Sequence, residues 1–110
     1  MAYDLNLAER IRAEVQGLPI IDKKMFGGVG YMLNGNMACG ILGADLIVRV
    51  GLDDYARLLG QPHVKVFTMK NGPRPMKGWL MVEPAGCKTE KQLSHWIKLG
   101  VEFASALPPK

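Results

Sequence analysis

Two cysteines and two histidines are all that this 110-residue sequence offers in soft metal ligands and thiol chemistry. No two of Cys39, Cys87, His63 and His95 lie at a short metal-ligand spacing, so no local zinc-type motif is present. Neither cysteine has a histidine beside it in sequence, and no local Cys–His nucleophile pair exists. Two thiols do not specify a disulfide framework, and the opening stretch MAYDLNLAERIRAEV has early acids and no apolar signal core. Both cysteines are therefore expected as reduced thiols in the cytoplasm. No apolar run approaches the roughly eighteen residues of a membrane span. With 48% hydrophobic and 22% charged residues the chain can bury enough apolar surface to fold, and residues 1–110 are expected to form one domain.

What the sequence has in quantity is glycine (13) and methionine (7), and both concentrate in KMFGGVGYMLNGNMACGI, Lys24 to Ile41. A phosphate-cradling loop needs Lys and then Ser or Thr after its last glycine, whereas Asn36 and Met37 follow Gly35. The dinucleotide fingerprint fails as well, because Gly28-Val29-Gly30 leads into a turn and not a helix. That turn is Asn34-Gly35, the strongest short hairpin signal, since both positions need positive φ. A two-residue turn there pairs Leu33 with Asn36, Met32 with Met37, Tyr31 with Ala38 and Gly30 with Cys39. This register puts Gly28 and Gly30 on one face with Met32, Met37, Cys39 and Ile41. The glycines are expected to let the strand bend or to leave a shallow trough for a helix, a small-molecule or enzymatic site over them being the third reading. The methionines read first as core filler and second as an adaptable partner surface.

Helical spacing of Leu5, Ala8, Ile11 and Val15 predicts a helix over Asp4 to Gln16, capped by Asp4 and stopped by Gly17 and Pro19. One strand is expected over Lys23 to Leu33, its hairpin partner follows Asn34-Gly35, and a turn at Gly43-Ala44-Asp45 precedes a strand over Leu46 to Val50. A short helix follows from Asp53 to Leu59, with Asp53-Asp54 serving the helix start. Val64–Phe67 and Trp79–Val82 read as strands, and KNGPRPMKG between them as a loop or a broken strand, because prolines disrupt a central ladder. Thr89 and Gln92 form a capping box for a last helix reaching Leu107, with Leu93, Trp96, Ile97, Val101 and Ala104 on its buried face and Gly100 at a close contact. The expected fold is an antiparallel α+β sheet of about five strands with helices packed on it, in the order α-β-β-β-α-β-β-α.

Cys39 reads as a buried small hydrophobe and Cys87 as a surface thiol beside Lys88. His95 lies near Lys91, Lys98 and Glu102 on the helical wheel and reads as solvated; His63 reads as a local hydrogen-bonding residue. The net charge is +4, and Lys65, Lys70, Arg74 and Lys77 carry all of that surplus in a stretch without acids before Glu83. Interleaved with Phe67 and Trp79, these four residues are the candidate contacts to nucleic acid or a partner. Their plainer role is a solvated strand edge that resists sheet-to-sheet aggregation.

The stretches KKMFGGVGYMLNGNMACGI, DLIVRVG, PRPMKGWLMVEP and WIKLGVEFASALPPK, in this order, resemble the N-terminal domain of the TfoX/Sxy family, over Leu5 to Lys110. Arg74, Met76, Lys77, Gly78 and Trp79 match its most recognisable signature. The resemblance implies a bacterial cytosolic protein with an antiparallel α+β fold like that of type III secretion chaperones. The family is named for regulators of competence genes that are thought to act as coactivators with the cyclic-AMP receptor protein, and the longer of them carry a second, helical domain. It supplies no catalytic residues to transfer. The sequence thus leads to a non-enzymatic regulatory module without cofactor or metal, binding a protein partner in a transcription-related process. Direct nucleic-acid binding is the alternative; a homodimer is expected as possible, and a membrane is not expected as a partner.

Overall fold

A computed structural model describes residues 3–25, 27–68 and 75–109. The element order is α1 (Leu5–Glu14), β1 (Ile20–Met25), β2 (Gly28–Leu33), β3 (Asn36–Leu42), β4 (Asp45–Arg49), α2 (Leu52–Leu59), β5 (Val64–Thr68), β6 (Pro75–Val82) and α3 (Glu90–Ser105), with a 3-10 turn at Pro84–Gly86. The six strands form one antiparallel sheet in the order β1-β2-β3-β4-β6-β5. All three helices contribute to the apolar layer on one side of it.

The expected count of about five strands is corrected to six. The apolar run before Asn34 is folded in half: Met25 pairs with Gly28, so β1 and β2 are two arms of a hairpin. Gly27, in the connection, has φ 79°, a conformation that glycine adopts without a Cβ penalty. The Asn34-Gly35 turn forms as expected, with φ of 53° and 84°. Residues 75–78 of the expected loop belong to β6, where the pairing with β5 slips between Val66 and Thr68.

Local signals fix the helix ends. Asp4 accepts hydrogen bonds from the amides of Asn6 and Leu7, and the Thr89–Gln92 capping box closes in both directions. At α2, Asp53 and Asp54 lie in the first turn but no side chain caps it, so their contribution there is to the helix dipole.

The core lies between the sheet and the helices. Ile11, Ile41, Leu46, Val48, Leu80, Val82 and Leu93 are all buried there. Gly100 brings α3 onto β3 so closely that a Cβ would overlap the Ala38 carbonyl oxygen. Arg10 fastens α1 to the segment before α3, donating to the carbonyls of Cys87 (2.9 Å) and Lys88 (3.1 Å) and pairing with Glu90 (3.2 Å). The Trp96 indole donates to the Gly86 carbonyl at 3.1 Å, which satisfies its one polar atom inside the core.

Candidate partner-binding face

Strand pairing determines which side chains lie opposite the helices. The hairpin register agrees with expectation at Leu33–Asn36 and Met32–Met37, then shifts: Tyr31 pairs with Cys39 and Gly30 with Gly40. The expected pairs Tyr31–Ala38 and Gly30–Cys39 are therefore corrected. A β-bulge at Ala38 adds one residue to β3 and inverts the alternation beyond it. Cys39 and Ile41 consequently enter the core with Val29 and Tyr31 and leave the glycine face. Ala38 also points to the helices, packed with Leu33 and Ala104.

The opposite face follows from the same register. It carries Ile21, Lys23 and Met25 on β1, Gly28, Gly30 and Met32 on β2, and Met37 and Gly40 on β3. Asp45, Ile47 and Arg49 continue it on β4, with Trp79 and Met81 on β6 and Lys65 on β5. Among the described residues no helix covers the centre of this face, and at its margin the Arg49 guanidinium reaches the ring of Phe103 on α3. Ile21 is 71% exposed, and Met25, Met32, Met37 and Met81 are half-buried. None of these four methionines joins a core cluster, so for them the core-filler expectation is corrected. The face has a small apolar centre of its own, because Ile47 and Phe67 are buried yet belong to neither helix-side cluster.

The glycine trough exists, but methionine fills it. A Cβ on Gly30 would lie 3.2 Å from Met25 Cε and 3.3 Å from the Sδ atoms of both Met25 and Met37, and one on Gly40 would lie 2.5 Å from Met37 Cε. These unbranched side chains rest on bare backbone, where they can change rotamer without opening the core. The close helix approach expected over this trough is instead made on the other face, at Gly100.

The four candidate contacts are distributed unevenly. Lys70 and Arg74 lie outside the described residues. Lys65 Nζ sits 3.4 Å from Asp45 and 3.8 Å from Glu83, so its charge is shared with two carboxylates. Lys77 is exposed. Phe67 is only 6% exposed and packs against Trp79 at a centroid distance of 6.4 Å, while the Arg49 guanidinium lies 5.1 Å over the Trp79 ring and 5.4 Å from that of Phe103. Both aromatics are thus engaged within the protein.

The thiols sit on the covered side. Cys39 is fully buried, and burial pushes its pKa up to about 12. Cys87, expected at the surface, is only 2% exposed; the turn after the 3-10 segment folds it inward beside the Glu83 carbonyl. Burial raises its pKa, with Arg10 pulling the other way. Neither environment makes a reactive thiolate. His95 is exposed and meets Trp96 edge-on. His63 has φ 66°, and its carbonyl accepts from the Glu83 amide at 2.8 Å. Both histidines border a shallow cleft of about 440 Å³ near the start of α3. Among the described residues no three His, Cys, Asp or Glu side chains converge as metal ligands, and no helix is long and apolar enough to cross a membrane.

With this geometry in view, comparison with known proteins identifies the family. A search of curated proteins found no match. The family model described as the TfoX N-terminal domain matches residues 16–104, which takes in all six strands, α2 and nearly all of α3. The chain belongs to the TfoX N-terminal domain family.

Proposed function

We propose that this protein is a non-enzymatic regulatory module of the bacterial cytoplasm that binds a protein partner in a transcription-related process. The observation that carries this reading is the bare sheet face: a methionine- and glycine-lined surface whose centre the three helices leave uncovered. Family membership supports it. Thioether side chains adapt to a partner's shape with little rotamer penalty, as promiscuous binding surfaces require. In-cell cross-linking followed by affinity capture should recover a protein in stoichiometric amount, and recovery of none would overturn the reading.

A second reading, nucleic-acid binding through Lys65, Lys70, Arg74 and Lys77, rests on the concentration of the whole net charge in that stretch. Phosphate contacts release counterions, so binding by this route should weaken steeply with salt. Replacement of all four by glutamate should abolish any DNA or RNA anisotropy signal; an unaltered signal would exclude the stretch.

A further inference from the structure

We propose that the bare sheet face is the docking groove for an acidic amphipathic helix of another protein, about a dozen residues long, lying along the strands. This rests on the protein-binding reading above and specifies its surface and partner chemistry.

Charge and spacing carry the assignment. The centre of the face is apolar (Met25, Met32, Met37, Ile47, Met81), and cations flank it on both sides. Lys23 stands on the edge strand β1, and Arg49 stands across the face on β4. The two carboxylates that reach this face, Asp45 and Glu83, both lie beside Lys65, at 3.4 Å and 3.8 Å. A partner that covers this face must therefore supply its own negative charge. Two copies placed face to face would set cation against cation, which disfavours self-association. A nucleic acid would meet its phosphates only at the margins and a greasy floor between them.

The dimensions fit a helix. From β1 to β6 is four inter-strand steps, roughly 19 Å at about 4.8 Å each. A helix with its side chains is about 10–12 Å across, leaving a few ångströms on either side for a cation to reach a flanking carboxylate. The strands of the floor are six or seven residues long, about 20 Å, which matches thirteen or so helical residues at 1.5 Å each. Glycines 30 and 40 remove bulk where the axis would lie, and Met25 and Met37, resting on that floor, are the groups that must swing aside.

The test uses the whole chain with ¹³C-methyl-labelled methionines. The probe is a synthetic 14-residue helical peptide with a leucine stripe flanked by glutamates. The methyl signals of Met25, Met32, Met37 and Met81 should shift and saturate, and a version with lysine flanks should bind at least tenfold more weakly. The variant Lys23→Glu, at an exposed position of the face, should erase that preference. Equal response to both peptides, no response, a response to a DNA duplex, or shifts that follow only protein dilution, as a second copy would give, each overturn the proposal. A photo-cross-linking residue at Ile21 samples this face in cells, and one at the exposed Lys98 samples α3. Partner capture at Lys98 but not Ile21 overturns the groove and leaves the protein-binding reading standing. Capture at neither position removes both.

Discussion

The two faces of the sheet are built from the same strands by opposite rules. The helix-covered face carries branched residues, Val48, Val82, Ile41, Leu46 and Leu80, each essentially inaccessible to water. The bare face carries unbranched methionines on glycine beside the buried Ile47. Branched side chains have few rotamers and pack into one arrangement, while methionine fills a space without specifying it. One face thus stores the stability of the fold, and the other remains adjustable at little risk to it.

The largest expected effect comes from the covered face. Leu93→Ala should cost about 2–5 kcal/mol in urea unfolding, because it empties a fully enclosed site beneath α3. Next is Gly100→Ala. Helix propensity alone would favour alanine by roughly 1 kcal/mol. The added Cβ meets the Ala38 carbonyl, however, and forcing α3 off β3 should leave a net loss of about 1–3 kcal/mol. A stabilised Gly100→Ala protein would show that the contact between helix and bulge is loose.

Alkaline pH tests the covered face without mutation. Tyr31 and Cys39 each have a folded pKa of about 12, above the ordinary 10.0 and 9.0, chiefly through burial. As pH rises past about 9 the unfolded chain releases these protons first, so it binds fewer protons than the native state and stability must fall toward pH 12. Below pH 9 this contribution is fully present. Thermal midpoints measured from pH 8 to 11 should decline, and Cys39→Ala should make the decline shallower. The smallest effect belongs to the bare face: Met32→Ala should cost less than about 1 kcal/mol, since a half-buried position leaves no enclosed cavity. If it cost as much as Leu93→Ala, the bare face would be a second core and the contrast would fail.

The sequence reveals elements better than it reveals faces. Caps and turns are local chemistry, and Asp4, Thr89–Gln92 and Asn34-Gly35 each behave as their types dictate. The helix-side role of Leu93, Trp96, Ile97 and Ala104 follows from spacing alone. Three features escaped. The β1–β2 turn lies inside a run that reads as one strand, since its signal is one glycine among several. The bulge at Ala38 has no sequence marker at all, and a single extra residue sends Cys39 and Ile41 to the opposite side. The burial of Cys87 was also hidden, because it depends on α1 and the Arg10 contacts, nearly eighty residues away. For the candidate site, the methionines were visible as a composition, but their shared surface required the register.

The bulge also bears on how relatives of this chain are aligned. Ala38 behaves as an inserted beat in an otherwise two-step rhythm: remove it, and the residues beyond keep their partners and their sides. What would vanish is the raised carbonyl on which α3 settles. A one-residue gap at this point in an alignment would therefore mark a change in how the last helix sits, with the hairpin itself left intact.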